Sequence, residues 1–236
     1  MEICDSFEPF ADCHDLAFSS LKNVILLSSS AARLELLKDY GINVIVRPQN
    51  AAEDNSRLGN PRYITLKNAI AKTNSFIKDN DLSKVCYPII SADTVISLSN
   101  VPEMKKKSIK GLIGSYPIIG KPQNKKDAFN ILSYLIDNKF HTVFTSMVLT
   151  FASNEGYVSI PETDTAVVEF RDDITQKEIA DYIDTNEWEG AAGAYRIQKT
   201  GKSLIKRIYG DDTTVAGLSY KSLFSAILKM HKTLCS

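Results

Sequence analysis

The chain has 236 residues, 44% hydrophobic and 24% charged, the composition of an ordinary globular protein long enough for a substantial core. Its 28 basic and 28 acidic side chains cancel, so no overall field recruits nucleic acid or an anionic membrane. No apolar run approaches the roughly 20 residues of a membrane-spanning helix.

The four cysteines and three histidines show neither metal-ligand spacing nor a nucleophile–base pattern. Cys86 is expected in the core, while Cys4, Cys13 and Cys235 lie near the termini. Residues Met1 to Ser20 hold Glu2, Asp5, Glu8, Asp12 and Asp15, with no Lys or Arg before Lys22. Such a segment fits neither a secretory leader nor an organellar transit peptide. The expectation is an acidic lead-in over residues 1–21 and one domain over 22–236, in a cytoplasmic protein.

Val24-Ile25-Leu26-Leu27 reads as a short strand that runs into Ser28-Ser29-Ser30-Ala31-Ala32-Arg33. Leu34, Leu36 and Leu37 follow, with Lys38 in the last turn and Gly41 beyond, making a helix with a C-terminal stop. A strand, a small polar loop and a helix N-terminus together suit an anion. Free backbone N–H groups and the helix dipole point at the ligand, hydroxyls add donors, and Arg33 adds a planar fork. The same residues also fit plain capping by Ser30, with Arg33 solvated.

Ile42 to Val46 is the next strand, and Arg47 to Gly59 is a polar loop carrying Glu53 and Asp54. Asn60-Pro61 opens a helix to about Lys78, with Tyr63, Ile64, Leu66, Ala69, Ile70 and Phe76 on its expected buried face. By residue type alone, Lys67 and Lys72 are surface charges. Strand character resumes at Val85 and runs through Leu98, and within it Ile89 to Ser97 places one carboxylate, Asp93, in an apolar run. A buried, unpaired carboxylate is expensive and tends to be neutralised. Asp93 therefore lies at a strand end where the sheet opens to solvent, or it holds a cation.

Ser99 to Ile119 is an irregular basic loop with Lys105, Lys106, Lys107 and Lys110, ending in a short strand from Ser115. Asn124-x-x-Asp127 opens a helix that buries Ala128, Phe129, Ile131, Leu132, Leu135 and Ile136. His141 to Phe151 and Thr163 to Phe170 are antiparallel strands. Thr175-x-x-Glu178 is a capping box that launches a helix through Ile179, Tyr182 and Ile183. A small-residue turn from Gly190 to Gly193 and a strand from Leu204 to Tyr209 come next, and Ser219 caps a helix from Tyr220 to about Lys232. The fold class is α/β, a mixed sheet with long antiparallel strands flanked by helices.

Two stretches imitate a phosphate-binding P-loop, Gly114 to Lys121 and Gly201-Lys202-Ser203, but neither has the required glycine spacing. There is no Gly-x-Gly-x-x-Gly either, so kinase and dehydrogenase readings lose their support.

Six motifs in order carry a resemblance. They are Leu27-Ser28-Ser29-Ser30-Ala31-Ala32-Arg33-x-Glu35-Leu36-Leu37; Ala92-Asp93-Thr94-Val95; Gly120-Lys121-Pro122; His141-x-Val143-x-Thr145; Ala192-Gly193-Ala194-Tyr195-x-Ile197-Gln198; and Gly210-Asp211 with Val215-x-Gly217-Leu218. From about Val24 to Leu228 this order resembles the Maf family of nucleoside triphosphate pyrophosphatases, relatives of the inosine triphosphate pyrophosphatase fold.

The resemblance implies hydrolysis between the α and β phosphorus of a nucleoside triphosphate, giving a monophosphate and pyrophosphate, with Mg²⁺ or Mn²⁺ as cofactor. It implies that Asp93 is the catalytic carboxylate, metal ligand and base, with Glu53 as a second metal-side carboxylate. Ser28 and Arg33 would lie in the phosphate loop, with Lys72 and Lys121 on the phosphate side. Thr94 and Gln198 would read the base, and Gln198 points to dTTP- or UTP-like substrates. A house-cleaning role in the nucleotide pool and a homodimer are the expected setting, with no membrane or nucleic-acid partner.

Three departures from the family pattern stand out. Ala31 and Ala32 replace a proline and an arginine, Ala191 replaces a lysine, and the loop after Asp93 is longer than usual. They motivate an alternative reading, a catalytically weakened relative that binds nucleotide or a partner as a regulator.

Overall fold

A computed structural model describes residues 21–98, 116–153 and 156–235. The acidic lead-in over 1–20 and the lysine-rich loop over 99–115 lie outside the described residues. Eight strands form a mixed sheet whose main path is β2-β1-β4-β6-β7-β8. β1 (Asn23–Leu26) pairs parallel with both β2 (Asn43–Val46) and β4 (Ile89–Ser97). β6 (Phe140–Ser153), β7 (Gly156–Phe170) and β8 (Ile205–Tyr209) continue antiparallel from β4. Off this path, β5 (Tyr116–Ile119) pairs with β4 and with the two-residue β3 (Leu58–Gly59).

Helices cover both faces. α1 (Ala31–Asp39) and α6 (Tyr220–Leu234) pack Leu37, Leu223, Ala226, Ile227 and Met230 against Leu26, Ile90, Ala92, Met147 and Leu149. On the opposite face, α2 (Pro61–Asp79) lays Phe76 on Ile25, Leu27 and Ile89, and Ile64 on Val95, Ile118 and Phe144. The alternation of side chains along β1 and β4 produces this division. α3 (Lys125–Asp137) and α4 (Gln176–Asp184) close a further core around Ile96, Leu132, Phe170, Ile183 and Trp188, and the short α5 (Asp212–Ala216) precedes α6.

Caps read from sequence are present. The Ser30 side chain accepts from the Arg33 amide, Asn60 caps α2 ahead of Pro61, and Thr175 and Glu178 form a reciprocal capping box.

Four expectations are corrected. Tyr63 and Ile70 of α2 are 63% and 38% exposed, because the buried face is rotated onto Thr65, Asn68, Lys72 and Thr73. Cys86 is exposed, since the chain from Val85 to Pro88 is not yet strand and β4 begins at Ile89. The strand expected from Thr163 begins at Gly156. Its first half is an edge, because β8 covers Val167 to Phe170, so Pro161 fits there without losing a ladder hydrogen bond.

Candidate active site

β4 has neighbours on one edge at its two ends but not in its middle. Ile89 and Ile90 pair with β1, and Ile96 and Ser97 pair with β5. Between them that edge of Ser91 to Val95 has no strand partner among the described residues, while the other edge runs unbroken along β6 with Asp93 opposite Ser146. The sheet therefore opens beside Asp93. Its neighbours alternate, so Asp93 faces α2 and Thr94 faces α1.

On the α2 side, both oxygens of the buried Asp93 carboxylate accept hydrogen bonds. Oδ1 takes one from Lys72 Nζ at 3.1 Å, and Oδ2 takes one from Asn68 Nδ2 at 2.9 Å. Asn68 and Lys72 are four residues apart on one helix face. Lys72 Nζ also donates to the Ala92 carbonyl at 3.0 Å, satisfying an open position of the strand edge, and pairs with Glu53 Oε1 at 2.9 Å. One buried ammonium thus bridges two carboxylates. Burial pushes the Glu53 carboxyl up, but the Lys72 hydrogen bond and charge, helped by Lys121 and Arg33, outweigh it and hold Glu53 below the usual carboxylate range.

Asn68 also steadies the Glu53 loop. Its Oδ1 accepts from the Asp54 amide at 2.7 Å, and Asp54 is in turn pulled down to about 2 by Ser56 and Lys67. Asn68 went unread in the sequence. The available signal was the polar stripe Thr65, Asn68 and Lys72 on a helix that also carries an apolar face.

On the α1 side the groups are hydroxyls around one guanidinium. Arg33 is buried, and it donates from Nε to the Gly217 carbonyl at 2.7 Å, from Nη1 to Ser28 Oγ at 3.0 Å and from Nη2 to Thr94 Oγ1 at 3.0 Å. Burial lowers its pKa while Asp93 and Glu53 pull the other way, and an arginine stays charged under such opposing influences. Gly217 holds a positive φ of 107° at the end of α5, the left-handed cap that brings its carbonyl to Arg33. Thr94 Oγ1 lies 2.9 Å from Thr145 Oγ1, whose own proton goes to the Thr214 carbonyl at 2.8 Å. The Thr94 hydroxyl therefore accepts from Arg33 and donates to Thr145. Ser28 accepts from both Arg33 and the Ser30 amide, which leaves its proton for a ligand.

These two sides meet in a cleft of about 370 Å³. Ser28, Arg33, Glu53, Lys72, Asp93, Thr94, Lys121 and Gln198 all line it, so the site residues expected from sequence come together in one place. Lys121 is exposed and has no hydrogen-bond or ion-pair partner among the described residues. Its loop is tied by the Gly193 amide donating to the Gly120 carbonyl at 3.1 Å. Gly193 has φ +73°, and a Cβ there would stand 2.3 Å from Ile96 Cδ1, so a side chain at this position would be strained and would displace Ile96. Gln198 reaches the Ala216 carbonyl at 3.4 Å. Ala31, Ala32 and Ala191 form uncharged parts of the wall. A second cleft of about 550 Å³ shares Glu53, Asp93, Thr94 and Lys121 and extends past Asn130 and Tyr134 of α3.

A profile of the Maf-like protein family matches residues 23–230. The chain belongs to the Maf-like family. Among its relatives is a dTTP/UTP pyrophosphatase of Dictyoglomus thermophilum, 33% identical over 211 residues that cover 89% of this chain and 96% of the relative. Proteins of the same name from Pyrococcus furiosus and Aquifex aeolicus are 32% and 31% identical, over 90% and 88% of this chain and 97% and 95% of theirs. The mixed sheet flanked by helices is consistent with the Maf-like fold. No helix among the described residues is long and apolar enough to cross a membrane.

The Maf-like turn from Ala192 to Gln198 is seated on a buried pair. His141 Nε2 lies 2.8 Å from the Tyr195 hydroxyl, with Phe170 packed on both rings. His141 Nδ1 has no partner among the described residues, and burial lowers its pKa to about 3.

Proposed function

We propose that this chain is a nucleoside triphosphate pyrophosphatase that cleaves the α–β phosphate bond of dTTP- or UTP-like nucleotides. The observation that carries the reading is the Asp93–Lys72–Glu53 triad at an open sheet edge, in the same cleft as the N-terminus of α1. Relatives covering nearly the whole chain carry the name dTTP/UTP pyrophosphatase, which supports the substrate class.

Phosphoryl transfer depends on positioning and charge neutralisation more than on covalent chemistry. In this reading Asp93 holds and deprotonates the attacking water. Lys72 directs the Asp93 carboxylate, and Lys121 meets the phosphates. Ser28 and the first amides of α1 give neutral donors to phosphate oxygens. Arg33 acts from beneath, since three of its donors already fix the floor of the cleft. Gln198 and the Thr94 side chain face the nucleoside and sort it.

The donor set fits a hard divalent ion. No group of three His, Cys, Asp or Glu side chains among the described residues could cage a metal. Asp93 and Glu53 both line the cleft, where they share the Lys72 ammonium, and Mg²⁺ is commonly held by one or two carboxylates with waters and substrate phosphates. When bound, Mg²⁺ or Mn²⁺ would neutralise phosphate charge and acidify a coordinated water.

The experiment is pyrophosphate release from a panel of canonical and modified triphosphates with Mg²⁺ or Mn²⁺. Turnover concentrated on dTTP and UTP supports the reading. Calorimetric nucleotide binding with no turnover across the panel supports the regulator instead.

A further inference from the structure

Four cations line the first cleft: Arg33, Lys72, Lys121 and Arg196. Two are committed to the protein. Lys72 is neutralised between Glu53 and Asp93, and the buried Arg33 is engaged by Gly217, Ser28 and Thr94. Lys121 and Arg196 remain to meet an incoming polyanion.

Arg196 occupies the lip formed by Glu189, Gly190 and Ala191. Its Nε donates to the Glu187 carbonyl at 2.8 Å and its Nη2 to the Glu189 carbonyl at 2.5 Å. Both partners are neutral, and among the described residues no carboxylate takes a hydrogen bond from this guanidinium. Two of its five N–H donors are used, so the Nη1 pair and one Nη2 proton stay available. Gly190 leaves room beside it, because even a Cβ there would stand 3.8 Å from Arg196 Nη2. The neighbouring wall, Ala31, Ala32 and Ala191, offers no charge of its own.

We propose that Arg196 is a substrate-binding residue that grips the polyphosphate from the lip of the cleft. The two carbonyls hold the fork in place before substrate arrives, which limits the entropy lost on binding. A guanidinium so held makes charge-assisted, two-point contacts with phosphate oxygens. The inference deepens the pyrophosphatase reading and rests on it for the identity of the substrate.

Arg196→Gln and Arg196→Lys test it, with inorganic pyrophosphate binding by calorimetry and KM for UTP over a salt series. Arg196→Gln keeps a donor for the lip carbonyls and loses the charge. It is expected to weaken pyrophosphate binding and raise KM by about ten- to a hundredfold, with a smaller effect on kcat and a shallower salt dependence. Arg196→Lys keeps the charge and loses the two-carbonyl bracket and the fork, and it is expected to recover part of the pyrophosphate affinity. The proposal is overturned if Arg196→Gln leaves both affinities unchanged. It is equally overturned if the Lys variant binds as weakly as the Gln variant while both melt lower, which is the pattern of a loop staple. A wild-type protein that binds pyrophosphate and hydrolyses no triphosphate would sink the enzyme reading, and the variants' pyrophosphate affinities would still decide the role of Arg196.

Discussion

The two faces of β4 beside its open edge are built from different chemistry. On the α2 side, Asp93 is held by an amide and an ammonium, and Lys72 serves a second carboxylate as well. On the α1 side, Thr94 belongs to a chain of neutral hydroxyls and carbonyls that ends on one guanidinium. The first arrangement sets two carboxylates against one ammonium and so keeps an excess of negative charge at the cleft. The second occupies most of its donors internally, which makes it a floor. Two adjacent residues of one strand can play such different parts because the strand alternates and the sheet is split at that point.

The contrast is broken most severely at Lys72. Lys72→Met leaves Asp93 and Glu53 facing each other without a cation, and removing one partner of a buried pair typically costs about 3–5 kcal/mol. Denaturant unfolding should show that loss, and triphosphate turnover should fall about a hundredfold or more.

Arg33→Lys asks whether the α1 side is a floor. A lysine cannot reach Gly217, Ser28 and Thr94 at once, so stability should fall by about 2–3 kcal/mol with a smaller proportional loss of kcat. If kcat falls as far as in Lys72→Met with stability intact, Arg33 contacts the substrate directly.

Acid stability tests the seat of the Ala192–Gln198 turn. His141 has a folded pKa of about 3, below its ordinary value of 6.5, so below pH 6.5 the unfolded chain binds a proton that the folded chain refuses. This contribution is complete above 6.5 and is lost as pH falls toward 3, at up to about 1.4 kcal/mol per pH unit. His141→Phe should flatten that component of the stability–pH slope between pH 6 and 4. An unchanged slope would place the proton uptake elsewhere.

Thr94→Val is expected to be mildest. It removes one link of the hydroxyl chain and leaves an Arg33 donor unpaired, at about 1–2 kcal/mol of stability. Its activity should change less than that of any variant on the α2 side.

Much of this was legible in the sequence. The apolar run around Asp93 called for a strand end or a cation; Asp93 lies in the middle of β4, and the cation beside it is Lys72. The loop Ser28 to Arg33 read as a helix N-terminus in either of its interpretations, and Ser30 is the cap. What was not legible depended on tertiary direction. Helical periodicity counts apolar residues, so it placed Tyr63 and Ile70 inside and missed Asn68, whose burial is justified by Asp93 and the Asp54 amide. Pro161 hid the first half of β7, because a proline argues against a strand unless that strand is known to be an edge. The internal use of Arg33 was equally hidden, since its partners Thr94 and Gly217 are 61 and 184 residues away.

The proposed role of Asp93 is to activate the attacking water. It is tested most directly by pyrophosphate release from UTP, measured side by side for the wild-type protein and Asp93→Asn. Asparagine keeps the size of the side chain and an acceptor for Lys72 but loses the bond from Asn68, a cost of about 1–3 kcal/mol, so the fold should persist while the base is lost. The expected result is steady release by the wild type and a loss of about a hundredfold or more in a variant that still melts cooperatively. Equal rates from the two proteins would contradict it.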